Sequence, residues 1–117
     1  MMDRKDIAMK ISNNEKLAIR KEEAQQLNEA ICMVKNPEDV RRFLRDLLTF
    51  GEHRELSRRL EIANMLEHGF TQSEISDLLG VGVGTVSRVN AKLKSGSGFK
   101  SIIDKLPPRK SKNTSLG

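Results

Sequence analysis

The chain has 117 residues, enough for one domain, with a net charge of +5 and 3% aromatic residues, none of them Trp or Tyr. No apolar run approaches the ~18 residues of a membrane span, the opening MMDRKDIAMK lacks a signal peptide's apolar stretch, and Cys32 is the single cysteine, which excludes an internal disulfide and fits a reducing cytoplasm. A core built from Leu, Ile, Val, Met and Ala in so short a chain favours burial through oligomerisation.

Residues 1–13 are polar and weakly patterned and are expected to be flexible. From Asn14 to Lys35 no Gly or Pro intervenes, and Ala24, Leu27, Ile31 and Val34 recur at helical spacing. Cys32 beside this stripe reads as a small packed hydrophobe. Asn36-Pro37 opens a second helix: Asn suits the N-cap, Pro the first helical position, and Glu38 and Asp39 the positive end of the dipole. Its stripe is Val40, Phe43, Leu44, Leu47 and Leu48, and Gly51 is expected to break it. A third helix is predicted over 52–67, with Leu56, Leu60, Ala63 and Leu66 inward and Glu52, Arg58, Glu61 and Asn64 outward. His68-Gly69 supplies the C-terminal stop, with His68 placed to meet the dipole.

Thr71-Gln72-Ser73-Glu74 is a capping box. It opens a short helix over 72–79, and a second short helix follows over 83–94. Ser95-Gly96-Ser97-Gly98 reads as a flexible linker. Phe99, Ile102, Ile103 and Leu106 pattern a last helix ended by Pro107-Pro108, and 107–117 reads as a basic disordered tail. No segment alternates as a strand would. The fold class is therefore all-α, five to six helices, with one helical domain over 14–106 and a helix-turn-helix at 71–94.

The charge is uneven. From Arg88 onward eight cations stand against Asp104 alone, a net of +7 that leaves −2 for the remainder. A basic C-terminal segment beside a near-neutral body points to a polyanion.

Between the two short helices runs LLGVGVGTVSR, Leu78 to Arg88. A dinucleotide-binding GxGxxG needs a preceding strand and a third glycine, where this chain has a capped helix and Thr85; a phosphate-binding P-loop needs a Lys that is missing. Nearly every position fits a helix-turn-helix instead. Ile75, Leu79 and Val81 face inward, Ser76 allows close approach, and Gly80 sits where the chain reverses with positive φ. Val86, Val89 and Leu93 form the buried stripe of the second helix. Gly84, Thr85, Ser87, Arg88, Ala91 and Lys92 are left exposed, and small, hydroxyl and basic side chains on a leading turn suit entry into the major groove of DNA. The competing reading is an αα-hairpin that only packs. One Cys and two His (His53, His68) make no metal constellation, and no catalytic arrangement emerges, so an enzyme is not expected. Phe99 reads as an anchor of the last helix rather than a base-stacking residue.

The segment RRLEIANMLEHGFTQSEISDLLGVGVGTVSRVNAKL, Arg58 to Leu93, together with AICMVKNPEDVRRFLRDLLT upstream, resembles the Trp repressor superfamily, and most closely its YerC/YecD-type Trp-repressor-like branch. The resemblance spans about Leu27 to Leu93. It implies an intertwined all-helical homodimer whose two helix-turn-helix units read double-stranded DNA, with base contacts largely carried by water. It also implies a corepressor, L-tryptophan, held between Arg59 and Arg88 by cation–π stacking, with Thr49 in the ligand-facing loop. Two positions depart from that pocket. Val89 stands where the family has glycine and fills space the ring needs. Lys92 stands where a serine holds the ligand's amino group, and it repels an ammonium. Arg59 has a structural alternative, an ion pair with Glu55 or Glu52 on its own helix.

The expected function is a cytoplasmic, sequence-specific DNA-binding transcriptional regulator, a homodimeric repressor. Gly84, Thr85, Ser87 and Arg88 would lie against base edges, Gln72, Ser73, Lys92 and Lys94 would hold phosphates, and Val83 belongs to the same DNA-binding set. The alternative is a helical protein-interaction or RNA-associated module that reads no operator.

Overall fold

The computed structural model describes residues 11–107. Among them are six helices and no strand: α1 (Asn13–Met33), α2 (Pro37–Leu47), α3 (Phe50–Glu67), α4 (Gln72–Leu79), α5 (Val83–Ser95) and α6 (Ser97–Ile103). The chain is all-α, as its patterning predicts. None of these helices is long and apolar enough to cross a membrane. The chain divides after Leu47 into two compact units. The segment expected to be flexible falls mostly outside the described residues, but Ser12 and Asn13 already open α1. Of the basic tail only Pro107 is described.

In the first unit, Ser12 Oγ accepts the Glu15 N–H and the Glu15 carboxylate accepts the Ser12 N–H, each at 3.2 Å. This reciprocal cap satisfies two amides that the start of a helix leaves unpaired. Asn36 caps α2 as expected, its Oδ1 accepting the Asp39 N–H at 2.9 Å. Neither helix buries a side chain. Leu17, Leu27 and Ile31 stay exposed, and Met33 is 73% exposed. Cys32 is also exposed, contrary to its expected packing.

The second unit is built on α3. Gly51 does not end α2. It lies in the first turn of α3, because Thr49 forms a capping box with Glu52: Thr49 Oγ1 accepts the Glu52 N–H at 3.1 Å, and Glu52 Oε1 accepts the Thr49 N–H at 2.9 Å. These bonds hold the Glu52 carboxyl below the usual carboxylate range, the backbone bond most strongly. Burial on α3 is confined to Ile62, Ala63, Asn64 and Met65, where α3 shares a core with the residues of α4, α5 and α6 that pack on it. Leu56 and Leu60, expected inward, are therefore exposed. Asn64, expected outward, is 9% exposed, and its Oδ1 has no partner. His68 Nδ1 donates to the Asn64 carbonyl at 2.8 Å, which serves an orphan carbonyl at the helix end. Gly69 follows at φ +90°.

Ile62, Ala63, Met65, Phe70, Ile75, Val86, Val89, Leu93 and Ile103 make one core, with Phe99 and Leu106 packed at its edge. The expected four-residue linker shrinks to Gly96 alone. Ser95 completes α5, and Ser97 and Gly98 begin α6. Gly96 has a steric reason to be glycine: a Cβ there would lie 3.1 Å from the Lys92 carbonyl oxygen. On α6, Ile103 is buried while Ile102 is exposed. Lys100 meets Glu67 of α3 at 3.0 Å, and this bond, with nearby Asp104, holds the ammonium above its ordinary pKa.

Candidate nucleic-acid interface

The helix-turn-helix starts at Thr71, whose hydroxyl accepts the Glu74 N–H while Glu74 accepts the Thr71 N–H, each at 3.1 Å. The eight-residue α4 buries Ile75 and ends at Gly80, which adopts the left-handed conformation at φ +66°. That reversal lets the Ser76 carbonyl accept both the Gly80 and the Val81 N–H, at 3.0 and 3.2 Å. Ser76 Oγ donates onward to the Val81 carbonyl at 2.5 Å. Ser76 is thus a polar brace of the turn as well as a small residue.

Gly82 is the N-cap of α5. Its backbone is extended, and no side chain caps the helix. Val86, Val89 and Leu93 bury one stripe of α5, as the spacing predicts. Around the rest of the helix, Val83, Gly84, Ser87, Arg88, Lys92 and Lys94 are exposed and Thr85 is half-buried. Val83, though apolar, is 53% exposed. No acid lies in the first turn of α5, while Lys92 and Lys94 occupy its last turn. Ser73 is exposed on α4. Gln72 and Ser87, expected to act separately, are joined: Ser87 Oγ donates to Gln72 Oε1 at 2.6 Å. The hydrogen bond ties the start of α4 to the exposed face of α5.

A groove of about 410 Å³ lies between α3 and the turn, with Arg54, Arg58, Arg59, Ile62 and Thr85 among its walls. It includes Arg59 but neither Thr49 nor Arg88. Arg59 is already held by Glu55 at 2.5 Å, the intrahelical pair its spacing allows. Thr49 is occupied as the cap of α3. Val89 is 5% exposed and belongs to the core. One contact escapes local reading. Arg58, expected outward, sends its guanidinium to the Leu79 carbonyl at 2.6 Å, across 21 positions of sequence.

The sequence profile of the family described as Trp repressor protein matches residues 22–106. The chain belongs to the Trp repressor family. It is 33% identical over 98 residues to the uncharacterized protein YerC of Bacillus subtilis (strain 168), covering 83% of this chain and 94% of YerC. It also superposes on the crystal structure of a protein from Staphylococcus aureus described as a putative Trp repressor. The TM-score is 0.69 at 32% identity, covering 85% of this chain and 98% of the other. Membership places the chain among helical DNA-binding regulators rather than enzymes.

Proposed function

We propose that this protein is a cytoplasmic, sequence-specific transcriptional repressor that binds double-stranded DNA as a homodimer and occludes a promoter. The observation that carries the reading is the two-sidedness of α5. Val86, Val89 and Leu93 bind it to the core, and the opposite face presents Val83, Gly84, Ser87 and Arg88 without an acid among them.

Each side chain has a fitting role in the major groove. Arg88 can pair bidentately with guanine O6 and N7, Val83 and the Thr85 methyl can meet a thymine methyl, and Ser87 can bond either way. Gly84 keeps the leading turn slim. Gln72, Ser73, Lys92 and Lys94 hold phosphates and set register rather than sequence. The exposed apolar side chains of α1 and α3, among them Leu27, Ile31, Leu56 and Leu60, with Phe50 at 85% exposure, supply area for a second copy to bury.

In this reading L-tryptophan does not control the protein. Two observations support this: Val89 spends its side chain in the core, and Lys92 is an exposed cation where the family resemblance would put a serine for the ligand's ammonium. Arg59 serves Glu55 instead of an indole.

A salt series on duplex DNA tests the DNA reading. Binding should weaken steeply and linearly in log–log form, since each neutralised phosphate releases counterions. Tighter binding to RNA than to duplex DNA at every salt concentration would favour an RNA-associated module instead.

A further inference from the structure

We propose that Arg58 is a positioning residue for base reading: from α3 it clamps the carbonyl end of α4 and thereby fixes where α5 begins. The inference rests on the DNA-binding reading above and adds a residue that touches no DNA.

Leu79 is the last residue of α4. Its carbonyl is one of the final four that a helix cannot satisfy internally. The turn's own bonds leave it aside, because the Gly80 and Val81 amides both go to Ser76 and the Ser76 hydroxyl goes to Val81. The Arg58 guanidinium fills that vacancy at 2.6 Å in a half-buried setting, and a cation there also meets the negative end of the helix dipole. The adjacent Arg59 is spent on Glu55 of its own helix, so the two neighbouring arginines have divided roles.

Only Gly80, Val81 and Gly82 separate this carbonyl from α5. Two of the three are glycines, so the joint is intrinsically soft. The Ser76 bonds lie within the turn and move with it. The apolar core holds α4 and α5 against α3, but hydrophobic contact is non-directional. The Arg58 bond is directional and ties the turn to α3. Base reading needs contacts held to about half an ångström, whereas phosphate attraction tolerates looser placement. Loss of the clamp should therefore erode specificity more than general affinity for DNA.

Arg58→Met keeps the apolar stem and removes the donor; Arg58→Lys keeps the charge without the planar fork, and guards against a variant that does not fold. Full-length dimers would be tested against the duplex the wild type selects and against a scrambled duplex over a salt series. Native-state amide exchange at Gly80, Val81, Thr85 and Val86 would be followed without DNA. Arg58→Met should weaken selected-duplex binding about tenfold, change scrambled-duplex binding less than about twofold, leave the salt slope unchanged, and speed exchange at those four amides. Arg58→Lys should fall between the two proteins. Equal weakening on both duplexes, with a slope reduced by about 0.9, would make Arg58 a direct phosphate ligand and overturn the proposal. Unchanged exchange would overturn it as well. If the wild type selects no duplex, the DNA reading fails, and the exchange arm still decides whether the clamp exists.

Discussion

Gly80 and Gly82 stand two residues apart in the same turn, yet substituting each with serine should move stability in opposite directions. Gly80 adopts φ +66°, and a Cβ there would meet nothing within 4 Å. The cost of a side chain is therefore conformational rather than steric. The left-handed region costs an L-residue about 1–2 kcal/mol, offset by roughly 0.4–1 kcal/mol of lost unfolded-state entropy. Gly80→Ser should thus destabilise by about 1 kcal/mol. Gly82 sits at φ −67°, ψ 147° as an N-cap with no capping side chain, and space around it is also open. A serine there adopts that backbone without strain, gains the same entropy offset, and supplies a cap worth a few tenths of a kcal/mol. Gly82→Ser should stabilise by about 0.5–1 kcal/mol. Thermal melts of the two variants followed by circular dichroism should lie on either side of the wild type, at about 4–8 °C per kcal/mol for a chain of this size. Coincident melts, or Gly82→Ser melting below Gly80→Ser, would refute the assignment of turn and cap.

Arg88→Ala should cost ~1–3 kcal/mol of discrimination at one base pair of the selected site; competition with single-base variants reads this, and a uniform loss across all variants would make Arg88 a phosphate contact. Acid should weaken the α3 cap. The Glu52 carboxyl sits below its ordinary value of 4.5 in the folded chain, so its contribution is present above that value and fades as pH falls through the lowered one. Urea titrations between pH 7 and 3 should therefore show a shallower acid decline for Glu52→Gln than for the wild type, and parallel declines would remove the cap from the account. Because the chain has neither Trp nor Tyr, added L-tryptophan is the only indole in solution. Its fluorescence should stay unshifted at millimolar concentration, and a saturable shift would mean that a pocket persists beside Val89 and Lys92.

What was legible in the sequence was local. The Thr71–Glu74 box, the bounds of α4, the positive φ at Gly80 and the Val86/Val89/Leu93 stripe each depend on neighbours within a turn or two, and each appears as read. The Thr49–Glu52 and Ser12–Glu15 caps carry the same Ser/Thr-x-x-Glu signature, which would have placed Gly51 inside a helix rather than at its end. Composition reads Gly96 with its flanking residues as a linker, because it does not show that a Cβ would lie 3.1 Å from the Lys92 carbonyl oxygen. Leu56, Leu60 and Asn64 differ from the pattern for a tertiary reason: periodicity gives α3 one apolar stripe along its length, but its buried residues are confined to 62–65, in the core that it shares with α4, α5 and α6. The Arg58–Leu79 and Ser87–Gln72 bonds span 21 and 15 positions, and no local rule couples residues at those separations.

The central claim is that α5 reads a sequence on duplex DNA from a symmetric dimer. Selection from a random duplex pool by the full-length protein tests it most directly. The expected result is an enriched, near-palindromic motif with half-sites about 34 Å, one helical turn, apart, and the same motif with and without L-tryptophan. A pool that returns no enriched motif would contradict it.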